Sequence, residues 1–299
     1  MKNKKGKVLI IGGCGYIGSK LFQYLTDKKY FIDTVDLEWY GNYVNPRNFK
    51  KDYETLPRPF LRKYDSIILL AGHSSIPMCE SKMIDSFKNN VFKFLTLLNK
   101  IEDQKFIYAS SSSVYGNTKK LKITEDYDRY SPTNFYDLTK KEIDYYAQLS
   151  KVNYYGLRMG TVCGYSPNLR IDVMINKMID TALTKKEIVV FNKNFYRPIL
   201  GINDFCRLVE KILKSKRDHH GLYNVASFNS QIEEIAQKVA KKMGLVGVKN
   251  VGVNPGYYSF SINTRKFEKT FGFEFNDSID SITYSIIRNY PKAKKTIRI

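Results

Sequence analysis

A glycine-rich segment between an apolar run and a helical repeat constrains the fold of this chain more than any other feature. Residues 8–11 are uniformly apolar, as in a strand buried on both faces of a parallel sheet. The segment Gly12-Gly-Cys-Gly15-Tyr-Ile-Gly18 follows directly, and a helical apolar repeat comes after it. Such a loop lets the backbone approach a pyrophosphate, which the helix N-terminus attracts. Three glycines alone are weak evidence, because turns also use glycine for its backbone freedom.

An acidic residue closes the second predicted strand, residues 31–36. Asp36 lies 18 residues beyond Gly18, near the spacing at which a carboxylate binds the ribose hydroxyls of a dinucleotide. A carboxylate there repels a 2′-phosphate, which favours NAD over NADP, although a surface acid at a strand end is the simpler alternative. Asp52 is a further candidate, for the adenine. The contacts predicted from these two segments are Gly12, Gly15, Tyr16, Ile17, Gly18 and Asp36.

Strand-like and helix-like segments alternate after the second strand. Residues 66–71, 105–109 and 154–159 are predicted strands, and residues 87–98 and 134–150 carry helical repeats between them. Consecutive units of this kind form right-handed βαβ crossovers. The pattern therefore predicts an α/β fold, a doubly wound parallel Rossmann sheet with helices on both faces.

The alternation loosens from about residue 165, where Ser-Pro and Arg-Pro turns and a polar tail begin. At 299 residues the chain is near the upper limit for one compact domain. We predict a Rossmann domain over residues 1–165, to which residues 200–228 return. Residues 166–199 and 229–299 are predicted to form a smaller C-terminal α/β lobe that binds substrate.

Composition argues against several classes of protein. Four scattered cysteines without a CxxC pair, with only three histidines, predict neither a disulfide framework nor a metal site. No apolar stretch approaches the roughly 18–20 residues that span a bilayer, and no signal-peptide core is present, so we expect a cytoplasmic protein without membrane contact.

The net charge of +20 attracts phosphate-rich ligands and nucleic acids. The lysines are spread along the chain, and coding bias gives the same count, so nucleic acid is not an expected partner.

A tyrosine and a lysine four residues apart supply a candidate acid/base pair. Tyr136 and Lys140 share one face of the predicted helix at 134–150. Free tyrosine titrates near pH ~10, and a nearby ammonium with a positive nicotinamide ring favours the phenolate. The serine run at 110–113 ends the preceding strand, where a hydroxyl can bind the substrate oxygen. Lys141 offers a competing register, in which it is paired with Asp137. A tyrosine and a lysine at this spacing also occur by chance, but the serine run and the glycine loop make a chance match a poor explanation here.

In this order and spacing the motifs resemble the extended short-chain dehydrogenase/reductases, especially the NAD-dependent epimerase/dehydratase family that modifies nucleotide-linked sugars. The resemblance covers most of the chain. Its motifs are the glycine loop, Leu70-Ala-Gly-His73, Asn90, Ser-Ser-Val-Tyr-Gly116, Tyr-x-x-x-Lys140, residues 157–164 and Arg197-Pro-Ile-Leu-Gly-Ile-Asn-Asp204. It implies NAD as the cofactor, a nucleoside-diphosphate sugar as the substrate and a homodimer.

The resemblance also implies roles for individual residues. Tyr136 is the acid/base and Lys140 holds the nicotinamide ribose. Ser111 takes the catalytic Ser/Thr position, and its neighbours Ser110 and Ser112 are near competitors. The further cofactor contacts implied are Leu70, Ala71, Gly72, Asn90, Tyr136 and Lys140. The candidate substrate contacts are His73, Ser112, Arg170 and Arg197, the last matching an arginine that often binds the nucleotide diphosphate. Arg170 and a further candidate, Arg265, are equally well explained as solvated surface arginines.

Members of this family share the first hydride transfer and differ in their later steps. Dehydratases carry an Asp-Glu pair directly after the catalytic Ser/Thr, where this chain has Ser112 and Ser113. Reductases that also epimerise pair a cysteine with a histidine; Cys163 and His73 are available, but packing explains them more simply. We therefore predict a C4 epimerase, with a nucleotide-sugar reductase, dehydrogenase or dehydratase as alternatives. The alternative of another class is a non-catalytic dinucleotide-sensing or RNA-binding protein.

Overall fold

Strands and helices alternate over most of the chain in the computed structural model, which describes residues 6–43, 46–118, 120–129, 133–216, 219–245, 247–254 and 258–298. The strands are β1 Lys7–Ile11, β2 Phe31–Val35, β3 Asn48–Phe49, β4 Ser66–Leu69, β5 Lys105–Ser111, β6 Tyr154–Met159, β7 Thr161–Cys163, β8 Asn168–Arg170, β9 Val189–Val190, β10 Tyr196–Gly201, β11 Gly221–Val225, β12 Phe228–Gln231, β13 Lys249–Asn250 and β14 Lys294–Thr296. The helices are α1 Tyr16–Asp27, α2 Arg58–Leu61, α3 Ile76–Ser81, α4 Met83–Phe87, α5 Lys93–Leu98, α6 Phe135–Leu149, α7 Met174–Lys185, α8 Ile202–Lys214, α9 Ile232–Lys242, α10 Arg265–Phe271 and α11 Ile279–Asn289.

Seven parallel strands form the central sheet, in the order β11-β6-β5-β4-β1-β2-β3. Alternate side chains of β1 enter two different cores: Val8 and Ile10 face one, whereas Leu9 and Ile11 face the other. Residues of α1 and α8 complete the first core, and residues of α5 and α6 complete the second. Helices therefore cover both faces of the sheet, which is why residues 8–11 are apolar without interruption. The predicted doubly wound α/β fold is confirmed.

The strand order reverses at β1, which lies between β4 and β2. Ile11 is aligned with Leu69 of β4 on one side and with Val35 of β2 on the other. Because the strands are parallel, their carboxyl ends meet at one edge of the sheet and open a crevice there. The residues that follow these three strands, including Gly12 and Asp36, come together at that crevice.

The chain after β6 forms smaller sheets and returns once to the central sheet. β7, β10 and β12 make a three-stranded sheet, while β8 pairs with β14 and β9 with β13. Between them, α8 packs against α1, and β11 pairs in parallel with β6 at the outer edge of the central sheet. The helices α7, α9 and α11 contact one another in the C-terminal part. A division into two domains at residues 165, 200 and 228 stays a prediction.

The helix predicted over residues 87–98 has three segments. α4 ends at Phe87, a π-helical stretch covers Lys88–Phe92, and α5 continues to Leu98. The π stretch carries Asn90, whose side chain reaches the loop after β4. Single π turns inside helices are frequent at functional sites, and apolar periodicity does not distinguish them from an ordinary helix. The strand predicted to reach residue 71 ends at Leu69, where that loop begins.

Two features are absent from the part of the chain that the structure describes. None of its helices combines the length and the apolar character that crossing a membrane requires. Its His, Cys, Asp and Glu side chains form no group of three or more that could hold a metal ion.

Candidate active site

The loop after β1 brings its backbone close to the N-terminus of α1. Gly12 has a φ of +88°, and a Cβ added there would lie 2.5 Å from the backbone nitrogen of Ala71. A Cβ at Gly18 would lie 2.1 Å from the carbonyl oxygen of Gly12, so neither position admits a side chain. α1 begins at Tyr16 with Gly15 as its N-cap. The first turn of α1 can therefore present its backbone N–H groups to a ligand with no Cβ of Gly12 or Gly18 in the way. A bound pyrophosphate requires such an approach.

Asp36 follows β2 and lies directly against the glycine loop. Its carboxylate accepts hydrogen bonds from the backbone N–H groups of Cys14 (3.0 Å) and Glu38 (2.7 Å). Burial raises the pKa of Asp36, and these two donors oppose the rise. The carboxylate is thus fixed where the ribose of a dinucleotide would meet it. The same cavity is also lined by Trp39, Tyr40, Asp52, Tyr53, Leu70, Ala71 and Gly72.

Asn90 connects the loop after β4 to α6. Its Oδ1 accepts a hydrogen bond from the backbone N–H of His73 (2.8 Å), and its Nδ2 donates to the carbonyl oxygen of His73 (3.0 Å). The same amide donates to the hydroxyl of Thr139 on α6 over 3.2 Å. A Cβ at Gly72 would lie 2.9 Å from Asn90 Oδ1, so this loop also needs glycine. The amide of Asn90 thus holds the loop after β4, which lines the crevice, against α6, the helix that carries the predicted Tyr136–Lys140 pair.

The three predicted catalytic residues lie together where β5 meets α6. Ser111 ends β5, and its Oγ lies 2.7 Å from Oγ of Ser113. Tyr136 and Lys140 are one turn apart on α6, with the ammonium of Lys140 5.9 Å from the centroid of the Tyr136 ring. Lys140 donates a hydrogen bond to the carbonyl oxygen of Ala109 over 2.8 Å. The phenol of Tyr136 therefore has the hydroxyl of Ser111 and the ammonium of Lys140 beside it.

Burial governs the protonation of this group. It raises the pKa of Tyr136 to about 12; the hydroxyl of Ser111 opposes the rise, and the Asp137 carboxylate adds to it. Burial also lowers the pKa of Lys140 to about 8. The phenol is therefore protonated near neutral pH until a further positive charge stabilises its ionised form.

Two of the predicted substrate contacts are arginines in different surroundings. Arg170, on β8, forms an ion pair with Asp172 (2.7 Å) and donates through Nη1 to the hydroxyl of Ser74 (3.1 Å). Arg197, on β10, donates through Nη1 to the carbonyl oxygen of Tyr258 over 3.2 Å. Arg170 lines the cofactor cavity, whereas Arg197 lies near Asp137 and lowers the pKa of that carboxyl, which burial raises. A further candidate, Arg265, is exposed at the start of α10.

The other two predicted substrate contacts are buried. His73 has Nδ1 2.6 Å from the hydroxyl of Ser86, and its ring lies 5.6 Å from that of Trp39. Burial lowers the pKa of His73, which keeps the imidazole neutral at physiological pH. Ser112 is buried in the turn that follows β5. Ser112 follows Ser111 directly, whereas His73 is bonded through its backbone to Asn90 in the π stretch.

Asp137 forms a buried polar cluster that no sequence motif indicated. Its carboxylate accepts hydrogen bonds from the amide of Asn134 (2.7 Å) and from the hydroxyl of Tyr258, and it interacts with the hydroxyl of Ser113. An acid directly after the motif tyrosine was visible in the sequence. Nothing in the sequence indicated that Tyr258, 121 residues away, would contact Asp137. A second unpredicted residue, Arg298, lines the cofactor cavity.

Comparison with known proteins establishes the family of the chain. The model of the NAD dependent epimerase/dehydratase family matches residues 8–226, a span that contains the glycine loop, Ser111, Tyr136 and Lys140. The chain belongs to this family. It is an NAD-dependent enzyme, and the bare glycine loop and the fixed Asp36 carboxylate fit that cofactor.

Individual relatives of the enzyme carry out more than one reaction. It is 32% identical to the UDP-glucose 4-epimerase of Lactobacillus helveticus over 175 residues, 54% of this chain and 53% of that one. It is 27% identical to the dTDP-D-glucose 4,6-dehydratase of Dictyostelium discoideum over 269 residues, 78% of this chain and 61% of that one. The solved UDP-N-acetylglucosamine 4-epimerase from Methanobrevibacter ruminantium M1 has a TM-score of 0.84 at 20% identity, covering 96% of this chain and 99% of that chain. That likeness extends the shared fold beyond residue 226.

Proposed function

We propose that this enzyme inverts the configuration at C4 of a nucleotide-linked sugar. The observation that carries the proposal is the residue type after β5, where Ser111 is followed by Ser112 and Ser113. Neither serine can act as the carboxylic acid that elimination of water requires. Cys163 is also unsuited to an epimerising reductase, because it is buried in the core and burial raises the pKa of its thiol to about 12. The likeness to UDP-glucose 4-epimerases supports the same reaction.

Tyr136 is proposed to exchange the proton of the sugar hydroxyl at C4. Its phenolate removes the proton while Ser111 donates a hydrogen bond to the same oxygen. NAD would be held at the glycine loop and Asp36, and it would supply the acceptor and then the donor of the hydride at C4, so that the ketone is reduced on its opposite face. Lys140 stabilises the phenolate through its charge. Tyr136 then gives its proton back to the sugar oxygen, so the reaction needs no second acid.

The buried carboxyl of Asp137 favours dehydration as a second candidate. It interacts with the hydroxyl of Ser113, which stands where dehydratases have their acidic pair, and its Oδ1 is buried without a hydrogen-bond partner among the described residues. Burial raises the pKa of Asp137, as an acid that donates a proton near neutral pH requires. Its bonds to Asn134 and Tyr258 instead support a structural role.

Product analysis in D2O distinguishes these reactions. The purified enzyme is incubated with UDP-, GDP-, dTDP- and CDP-sugars, and the products are identified by chromatography and mass spectrometry. For a C4 epimerase we expect a product of unchanged mass without carbon-bound deuterium, because the hydride returns from the cofactor. Asp137→Asn should retain this conversion and Tyr136→Phe should lose it.

Other outcomes contradict the proposal in recognisable ways. Loss of water with uptake of deuterium, abolished in Asp137→Asn, would establish the dehydratase. A product two hydrogens lighter or heavier would establish a dehydrogenase or reductase. Binding of NAD without turnover of any sugar would remove nucleotide sugars from consideration.

A homodimer is proposed from the outer surfaces of α4 and α6. Ile84 and Phe87 on α4, and Tyr145 and Leu149 on α6, are exposed, with Leu149 85% accessible. Large apolar side chains gathered on neighbouring helices are typical of an interface. We expect Leu149→Glu to convert a dimer into a monomer in light scattering, whereas a wild-type monomer would contradict the proposal.

A further inference from the structure

The last described residues, 294–298, form a C-terminal arm that returns to the cofactor crevice. Its strand β14 pairs in parallel with β8. The hydroxyl of Thr296 donates to Oδ1 of Asn168 over 3.2 Å, and the hydroxyl of Ser75 donates to the carbonyl oxygen of Arg298 over 3.2 Å. These contacts attach the arm to β8 and to the segment that precedes α3. The backbone therefore determines where the side chain of Arg298 lies.

The guanidinium of Arg298 lies in front of the glycine loop. Its Nη2 is 3.7 Å from the position that a Cβ of Gly15 would occupy, and Gly15 is the N-cap of α1. Its Cζ lies 3.9 Å from the centroid of the Tyr40 ring, which packs beneath it. Both Nε and Nη2 are buried without a hydrogen-bond partner among the described residues. Two unpaired donors thus lie beside the N-cap of α1, on a residue that lines the crevice where the pyrophosphate of a dinucleotide is expected.

The carboxylates around Arg298 are already bound to other groups. The charged groups that act on it are Arg170, Asp172 and Asp36. Asp172 forms its ion pair with Arg170. Asp36 accepts hydrogen bonds from the backbone N–H groups of Cys14, in the glycine loop, and of Glu38. Burial and the charge of Arg170 lower the pKa of Arg298 to about 10, which leaves it charged at neutral pH. A buried guanidinium next to a second one requires an anion.

We propose that Arg298 binds the pyrophosphate of NAD, so that the C-terminal arm completes the cofactor site opposite the N-terminus of α1. A guanidinium can donate two parallel hydrogen bonds to phosphate oxygens, and the helix N-terminus attracts the same charge from the other side. The inference depends on the NAD dependence of the family and is independent of which sugar reaction the enzyme catalyses.

The alternative role for Arg298 is packing against Tyr40 alone. In that case its loss would destabilise the protein without nucleotide and would weaken binding of adenosine as much as binding of NAD. A contact with phosphate has a different signature, because it affects only ligands that carry phosphate. Removal of an unpaired buried charge should also leave the thermal stability of the nucleotide-free protein unchanged or higher.

The test is calorimetric titration of the full-length, nucleotide-free protein with NAD, ADP and adenosine. Arg298→Gln is expected to weaken NAD and ADP about 10- to 100-fold, the usual effect of losing hydrogen bonds to a charged group. Its affinity for adenosine should stay within about twofold of wild type. Lys295→Gln is the matched control, because Lys295 is an exposed residue of the same arm that carries the same charge. It should bind all three ligands like wild type.

Three results would overturn the proposal: wild-type NAD affinity in Arg298→Gln, an equal loss of adenosine affinity, or an equal loss of NAD affinity in Lys295→Gln. Arg298→Lys keeps the charge but not the paired donors, and we expect it to recover part of the NAD affinity. If Arg298→Gln does not fold, Arg298→Lys decides the question. An NAD affinity equal to that of wild type, together with a lower melting temperature, would assign Arg298 to packing. None of these readouts depends on turnover, so the proposed sugar reaction can fail separately.

Discussion

Lys140 donates a hydrogen bond from its ammonium to the carbonyl oxygen of Ala109 over 2.8 Å, which attaches α6 to β5. The lysine is 8% exposed, and burial lowers the pKa of its ammonium to about 8. Its charge is present at neutral pH and is lost as the pH rises above that value. The contact also keeps the ammonium beside Tyr136, whose ring centroid is 5.9 Å away. Stability and catalysis are therefore both expected to depend on this proton.

Replacing Lys140 by methionine is expected to change the pH dependence of the free energy of unfolding. The pKa of Lys140 is lower in the folded chain than its ordinary 10.5, so its charge destabilises the folded state below pH 8. That cost disappears as the pH rises from about 8 toward 10.5, since the unfolded chain then binds more protons. The wild type should gain about 2 kcal/mol relative to Lys140→Met between pH ~8 and ~10, measured by urea denaturation.

The matched control for this experiment is Lys151→Met, at an exposed position shortly after α6. Its unfolding free energy should run parallel to that of the wild type over the same pH range. A constant difference between wild type and Lys140→Met at every pH would show that Lys140 does not titrate in this range.

Tyr136→Phe is expected to lower the rate of hydride transfer about 10²- to 10⁴-fold, the usual contribution of a positioned acid/base. Ser111→Ala removes a hydrogen bond to the same substrate oxygen and should reduce the rate by a smaller factor. Both variants should retain NAD binding, because the glycine loop and the Asp36 carboxylate are unchanged. Single-turnover absorbance of the reduced cofactor measures the rate, with Tyr146→Phe on the exposed side of α6 as the control. A Tyr136→Phe rate within tenfold of wild type would assign the proton to another group.

Features that depend on neighbouring residues were predictable from the sequence. Residues 8–11 form a central strand because buried parallel strands are continuous apolar runs. The helix predicted over residues 134–150 extends from Phe135 to Leu149, with Asn134 as the N-cap. The side chain of Asn134 accepts a hydrogen bond from the backbone N–H of Asp137, which is why the helix begins there.

Features that depend on distant residues were not predictable. The hydroxyl of Tyr258 reaches Asp137 across 121 positions, and no spacing rule joins two such residues. Arg298 enters the cofactor crevice only because β14 pairs with β8. The π turn that carries Asn90 lies within an apolar repeat that an ordinary helix would produce equally well. These contacts arise from tertiary packing and not from local pattern.

Gly18→Ala is expected to destabilise the cofactor loop and to weaken NAD binding. The added Cβ would lie 2.1 Å from the carbonyl oxygen of Gly12 and 2.7 Å from the Cα of Gly13, so the backbone must move. Overpacking of this kind costs about 1–3 kcal/mol, measurable as a lower midpoint in urea. Gly247→Ala is the control, because its added Cβ meets no atom within 4 Å. Equal midpoints for the two variants would contradict the role assigned to Gly18.

The buried ion pair between Arg158 and Asp144 should be far more sensitive to loss of one partner than to loss of both. Arg158 Nε lies 2.8 Å from the Asp144 carboxylate, and both side chains are almost completely buried. Tyr108 also donates to Asp144 over 3.0 Å, so a charged carboxylate would remain in the core of Arg158→Met. We expect this variant to lose about 3–5 kcal/mol in urea denaturation, and the double variant with Asp144→Leu to lose less. Because Asp144 is on α6 with Tyr136, the proposed acid/base, the single variant should also lose activity. If the losses in unfolding free energy from Arg158→Met and Asp144→Leu are additive in the double variant, the ion pair does not stabilise the packing of β6 against α6.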